Sequence, residues 1–369
     1  MKTNIIFLKL CLFLTLFGCI TEYETTGIEE VEGILVVEGI ITDEESIIKL
    51  SRSINLTDVD YYNPVYVDNA SVYVECEDGT QWDGVNLSGG QYALKTGQLD
   101  LERKYRLKIE IEEVDGDCYF NSPLGGNIAC PTKIYEYSSD FSYPIQTPEI
   151  DSVFWIKRTT GQPVNIHVAT HSSDNQVLYY RWSYKEDWEI NSVYGMEPTY
   201  PYYCWNMYNS REILLGSDEK TVFGQLMDKI LEISPSDRKF SVLYRIVVRQ
   251  NAISKRAYDY FTNIKKNNEN MGSIFAPVPS ELRGNIICTT DPTRSVIGYI
   301  DISSTTQKTM YISKNDVYER PWSCPVVVFE GDVPSDYVRY GDEGFVHVSC
   351  VDCTYHGTTH KPEDWPNNH

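Results

Sequence analysis

Apolar residues recur at every second position through much of this chain, and that period predicts a protein built mainly of β-strands. In Lys104–Ile111 the alternation is strict and puts Tyr105, Leu107, Ile109 and Ile111 on one face, the spacing of a half-buried strand. Ala70–Cys76 alternates in the same way and runs into Asp78-Gly79, a pair that tolerates positive φ and closes hairpins. Ile34–Ile41 and Ser46–Ser51 are rich in β-branched residues and are parted by the acidic turn Thr42–Glu45. Asp115-Gly116 then turns the chain into Cys118–Phe120. Short strands with turn signals at this spacing predict an antiparallel sandwich, immunoglobulin-like or prealbumin-like, over residues 33–146.

Pro144 and Pro148 interrupt the pattern and mark a boundary. Beyond it, strands are expected at Ile150–Ile156, Val164–Val168, Val177–Trp182, Ser241–Arg249, Val296–Ile302 and Pro325–Phe329. One helix interrupts them, near 254–271. Ser254 can cap it, Ala257, Tyr260, Phe261 and Ile264 fall at i, i+3, i+4 and i+7, and Gly272 can end it. Residues 147–369 therefore read as a larger β-rich domain with one inserted helix. No internal repeat of 20–50 residues is evident, which disfavours a propeller or solenoid.

The amino terminus follows a different pattern. An apolar run from Asn4 to Phe17, flanked by Lys2 and Lys9, ends at Gly18-Cys19, and predicts a cleavable secretory signal over residues 1–18. It is too short to cross a ~30 Å hydrocarbon core as a helix. Leu16-Phe17-Gly18-Cys19 resembles a bacterial lipobox, with Phe17 where a small or β-branched residue is usual. The resemblance implies that Cys19 is acylated and becomes the first residue; the plainer reading is an ordinary signal with an incidental Cys. Two or three acyl chains, at roughly 0.8 kcal/mol per buried CH₂, make a stable anchor. Residues 19–32 are polar and acidic, a solvated tether. Glu22, Glu24, Glu29 and Glu30 fit the acidic signal that sends some bacterial lipoproteins to the cell exterior, or serve as a plain spacer.

Charge and cysteine content narrow the partners. The formal charge is −21, and −23 once residues 1–18 take Lys2 and Lys9 away. Such a surface repels nucleic acid, so no nucleic-acid partner is expected. Ten cysteines become eight after Cys11 leaves and Cys19 is acylated: Cys76, Cys118, Cys130, Cys204, Cys288, Cys324, Cys350 and Cys353. In an exported chain they are candidates for disulfides whose pairing the sequence leaves open. The division at 146/147 gives each domain an odd number, so one bridge crosses it or some thiols stay free.

Candidate chemistry is sparse. Cys350-x2-Cys353-x2-His356-x3-His360 offers zinc-ligand types, but two residues between the Cys and His pairs leave little chain to wrap a tetrahedral ion. Structural cysteines are the better reading, and no metal or cofactor is assigned. No Gly-x-Ser-x-Gly elbow, His-Glu-x-x-His or phosphate loop occurs. His167 and His171 read as structural histidines at a strand end, and Glu186, Asp187 and Glu189 as a solvated strand end rather than a calcium or acid site. No catalytic residue is assigned. The strongest hint of recognition is aromatic: Tyr194, Tyr200, Tyr202, Tyr203, Trp205 and Tyr208, spaced by Pro198, Pro201 and Asn206, in what reads as a long loop. Such rings suit a peptide or glycan, or simply pack the loop onto the sandwich beside Cys204. Tyr61, Tyr62 and Tyr66 are a weaker second patch, and Asp151-Ser152-Val153 matches a short O-glycosylation pattern at a strand position.

Several segments, taken in order, resemble a known family: Gly33–Gly39, Tyr179–Trp188, Cys204-Trp205-Asn206, Arg211–Leu215, Val248–Ser254, Gly284-Asn285-Ile286, Ile297-Gly298-Tyr299, and the ending Cys350–Cys353 to Lys361–Trp365. Together they are similar to the Bacteroidetes lipoprotein family catalogued as domain of unknown function 4249. The resemblance implies an outer-membrane lipoprotein, often encoded near TonB-dependent transporters, and assigns no activity. The expectation is a non-catalytic, lipid-anchored, surface-exposed protein that captures or presents ligand as accessory to a TonB-dependent barrel. The alternatives are a structural or adhesive envelope module and, third, a surface hydrolase.

Overall fold

The four residues spaced two apart in Lys104–Ile111 all enter one core: Tyr105, Leu107, Ile109 and Ile111 are buried. The computed structural model describes residues 33–54, 65–114, 131–172, 178–195, 198–219, 221, 225–270, 284–317, 319, 324–342 and 344–366. The signal, Cys19, the tether, Tyr61, Tyr62, Cys118–Phe120, Cys130, Val177 and Gly272 lie outside the described residues.

In chain order the first strands are β1 (Leu35–Glu38), β2 (Glu45–Arg52), β3 (Val65–Tyr66), β4 (Ala70–Cys76), β5 (Gln81–Asp83), β6 (Val85–Ser88), β7 (Gln91–Lys95), β8 (Tyr105–Val114) and β9 (Thr132–Ser139). Then come β10 (Ile150–Ile156), β11 (Val164–His171), β12 (Tyr179–Asn191), β13 (Tyr203–Asn209), β14 (Leu214–Ser217), β15 (Gln225–Ile233) and β16 (Leu243–Ile253). Helix α1 (Lys255–Asn270) precedes β17 (Ile286–Cys288), β18 (Val296–Gly298) and β19 (Thr305–Ser313), and α2 (Lys314–Val317) precedes β20 (Tyr337–Tyr340) and β21 (Gly344–His347). The protein is mainly β and its sheets form β-sandwich-like layers.

The first sandwich pairs a sheet of order β18-β1-β2-β7-β6, with β3 beside β2, against one of order β17-β9-β8-β4-β5. Leu35, Val37, Ile48, Leu50 and Leu94 meet Val72, Val74, Leu107, Ile109 and Tyr137 in a nearly all-apolar core. One edge strand of each sheet, β18 and β17, comes from beyond α1. β18 lies parallel to β1, with Val36 opposite Ile297, and β17 antiparallel to β9, with Ile287 opposite Ser138. A linear division at 146/147 does not foresee this return. The crossing is tight: a Cβ on Gly284 would lie 1.5 Å from the Gly298 carbonyl oxygen. Gly298, at φ +154°, admits no Cβ either, since one would meet the Val37 oxygen at 2.4 Å. Asn285 locks this crossing by donating to the Ile300 carbonyl at 2.7 Å and accepting from its N–H at 2.9 Å.

The second sandwich stacks a sheet of order β13-β12-β16-β19, with β14 also on β12, against β10-β11-β15. Its core combines apolar side chains such as Val164, Ile166, Trp182, Ile246 and Val248 with fully buried polar groups: Glu186, Asp187 and Gln250 are 0 % exposed. The expected solvated strand end at Glu186–Glu189 is thus corrected. β12 runs on to Asn191, and these acids sit mid-strand with partners at hand. Asp187 stands opposite Arg245 in register and accepts from its Nη2 at 2.8 Å. The Glu186 carboxylate accepts from Lys239 Nζ at 2.8 Å and from the Tyr244 hydroxyl at 2.7 Å. Burial of a carboxylate is tolerable only with such pairing.

Two further expectations change. Pro325–Phe329 is not a strand; only Val327 bridges Phe345. The supposed aromatic loop is in part strand β13, paired along its length with Lys185–Asn191. The expected helix does form. Ser254 Oγ accepts from the Ala257 N–H at 3.2 Å, the N-cap its residue type favours. Ala257 and Tyr260 bury against Tyr179, Ile253 and Tyr299, so the helix fills the joint between the sandwiches. Polar bonds close that joint: Ala252 N–H donates to Thr147 Oγ1 at 2.9 Å, and Thr305 N–H to Asp43 Oδ1 at 3.0 Å.

Candidate functional site

The sequence put recognition at the aromatic segment, and its members turn out to be spread over several environments. Tyr194 and Tyr200 pack on the buried cluster of Cys324, Val346, Cys350 and Val351. The Tyr194 hydroxyl donates to the Cys324 carbonyl at 2.8 Å. Tyr202 and Tyr203 meet edge to face at 4.7 Å between centroids. On β13 the side chains alternate: Tyr203 and Met207 are exposed, Trp205 is half-buried, and Tyr208 turns to the other face, its hydroxyl 3.5 Å from Glu212. Trp205 exchanges two backbone hydrogen bonds with Thr358, each 2.8 Å. Most of this set holds the chain's last stretch in place, and only Tyr208 adjoins a cavity-lining residue, Glu212.

The Cys-His cluster resolves into separate links. Cys350 is bonded to Cys324 and Cys353 to Cys204, so neither sulfur is a thiolate ligand. Cys76 and Cys288 are buried free thiols of the first sandwich. Among the described residues no group of three or more His, Cys, Asp or Glu is placed to hold a metal ion. His171 Nδ1 faces the Asp151 carboxylate at 2.8 Å in the open, and His167 stacks on Phe154. Burial, then Lys229, holds the His167 pKa below the ordinary value. Tyr66 is exposed beneath Lys49 Nζ, 5.3 Å from its ring centre.

What the sequence did not reveal is a cavity of about 700 Å³ at the joint. That lies within the range of small-ligand sites, which are apolar clefts with a few placed polar groups. One wall is the paired edge of β1 and β18, with Val37, Gly298 and Tyr299; the second is α1, with Tyr260, Phe261, Ile264 and Lys265; the third is β12 and the stretch into β14, with Arg181, Arg211, Glu212 and Leu214. The tight Gly284–Gly298 crossing brings the first wall in. Burial raises the Tyr260 and Tyr299 phenol pKa values, so both rings stay neutral.

Arg181 is the unusual member. Alternation along β12 sends Tyr180 and Trp182 into the sandwich core and leaves Tyr179 and Arg181 facing the joint. The guanidinium lies 4.5 Å from the centre of the Phe261 ring, a cation–π contact. It is half-buried, and burial pushes its pKa down, opposed by Glu38. Among the described residues it makes no ion pair, unlike Arg245 with Asp187. Apolar and polar residues alternating through Tyr180-Arg181-Trp182 read as an ordinary half-buried strand, so the sequence alone carried no signal that marks Arg181.

The family profile described as "Domain of unknown function (DUF4249)" matches residues 20–123 and 128–309. No curated protein matches the chain. The returning strands and every wall of the cavity fall inside the matched residues, and the chain belongs to this family of domains of unknown function.

Proposed function

We propose that the protein is a non-catalytic lipoprotein, anchored in the outer membrane through acylated Cys19 and facing the cell exterior, that captures ligand and presents it to a TonB-dependent barrel. The observation that carries this reading is the cavity between the sandwiches: aromatic and aliphatic walls that also carry charged side chains suit holding a molecule with an apolar body and a polar group. Ligand capture moves from the aromatic segment to this joint. Purification of tagged protein from membranes in mild detergent, with mass spectrometry of proteins and small molecules, tests it. A barrel partner and a co-purified ligand are expected. An unmodified Cys19 thiol, or a chain never found with any barrel, overturns it.

A second reading, an adhesive envelope module, is supported by the edge strand β13 and its exposed Tyr203 and Met207, side-chain types enriched in contact surfaces. Loss of ligand-dependent growth on deletion favours capture, and loss of attachment with growth intact favours adhesion.

A further inference from the structure

We infer that the joint cavity selects an amphiphilic monoanion: one carboxylate-type oxyanion held by Arg181, on an apolar body laid against Phe261, Tyr260 and Ile264. This rests on the reading of the cavity as a ligand site and adds the ligand's charge. The cavity wall carries three cations, Arg181, Arg211 and Lys265, against two acids, Glu38 and Glu212. That is a local excess of positive charge on a chain of formal charge −21. General attraction of anions cannot explain it, because the surface as a whole repels them. Glu212 is occupied elsewhere, accepting from the Tyr184 and Tyr208 hydroxyls at 3.5 Å each and from the Arg211 N–H at 3.1 Å.

Arg181 itself is held over Phe261 with no carboxylate in contact among the described residues. A partly desolvated guanidinium without a carboxylate partner is costly. Its planar fork matches an oxyanion in bidentate fashion. A ligand of this class supplies the missing partner. Glu38, the acid that acts on Arg181, disfavours a second negative charge beside that guanidinium. A neutral glycan leaves the guanidinium unmatched and is a poor fit.

The test uses two dyes that share one aromatic body: 1-anilinonaphthalene-8-sulfonate, an anion, and N-phenyl-1-naphthylamine, its neutral counterpart. The full mature chain is used, with Cys19→Ala so that no detergent competes for the dyes. The anion should bind about tenfold tighter or more, the gain typical of a charge-assisted pair. Arg181→Gln should erase that gap, and Arg181→Lys should keep part of it. Ile264→Trp, which fills the cavity, should abolish both. Equal affinities in the parent chain, or an unchanged gap in Arg181→Gln, overturn the charge inference alone. Binding of neither dye, or binding that survives Ile264→Trp, overturns the cavity as a site and the charge inference with it.

Discussion

The two sandwiches solve the same burial problem with different materials. In the first, strand after strand contributes aliphatic side chains on alternate positions, and its core cluster holds only apolar side chains, Tyr and the thiols of Cys76 and Cys288. In the second, Glu186, Asp187, Glu189, Arg245 and Gln250 are buried among the apolar residues; one disulfide, Cys204–Cys353, ties the chain's last stretch to it, and another, Cys324–Cys350, closes a loop within that stretch. An apolar core loses stability in proportion to the volume removed. A paired polar core loses it abruptly when one partner goes.

The sharpest way to break that contrast is Arg245→Met. It leaves Asp187 fully buried, with Lys185 Nζ at 3.4 Å as its remaining cation. It also removes the hydrogen bond to the Asp364 carbonyl and the contact with the Trp365 ring. The expected cost is about 4 kcal/mol, read from denaturant unfolding. The double variant Asp187→Leu/Arg245→Met should recover most of it, because the uncompensated charge is gone. A double variant as unstable as the single one would contradict the argument. Next comes Cys324→Ala/Cys350→Ala, which opens a loop of sequence separation 26 and should cost about 3.5 kcal/mol in the chain-entropy account. Amide exchange should quicken in β20, β21 and β13 and leave β8 as it was.

In the first sandwich the matching probe is Leu107→Ala, a fully buried truncation expected to cost about 3 kcal/mol. Cys76 and Cys288, buried and unpaired, supply the measurement. Their alkylation rates, followed by mass spectrometry, should rise in Leu107→Ala far more than in Cys324→Ala/Cys350→Ala. Equal acceleration in both variants would mean the sandwiches open as one unit, and the contrast between them would have no energetic meaning.

The same difference decided what the sequence could reveal. β4 was read with its observed bounds and β8 to within a few residues at its ends, because a half-buried strand writes its own period in residues such as Leu107 and Ile109. β12 was read short, because Glu186, Asp187 and Glu189 look solvated until Lys239, Arg245 and Trp365 arrive from distant positions to pair with them. The segments around Gly284 and Gly298 were noticed as family features, yet nothing local says that they cross each other and complete the first sandwich. The cavity inherits that blindness, since its walls come from β1, β12, α1 and β18, and no window of sequence contains two of them. Ala257, Tyr260, Phe261 and Ile264 were seen as a helical stripe, but whether a stripe meets a core or lines a cleft is decided by what lies opposite.

The joint itself offers the smallest and most specific test. Asp301 accepts from the Ser254 N–H at 2.7 Å and from its hydroxyl at 3.1 Å, and so steadies the cap of the helix that walls the cavity. Burial raises the Asp301 pKa from 3.8 to about 6, against the Ser254 hydrogen bonds that favour the carboxylate. A raised acid pKa means that the folded chain holds its proton where the unfolded chain has released it. The contribution to stability is therefore full below the unfolded value, falls as pH climbs through that window, and is flat once the folded carboxyl has ionised. The loss is about 2–3 kcal/mol at one pKa unit per 1.4 kcal/mol. Asp301→Asn keeps an oxygen to accept from Ser254 and has no proton to release. The difference in unfolding free energy between parent and variant should therefore change by that amount between the acid and neutral ends of the window, in the variant's favour at neutral pH. Parallel curves would show that Asp301 ionises as freely in the joint as in the unfolded chain, and that water reaches the helix cap.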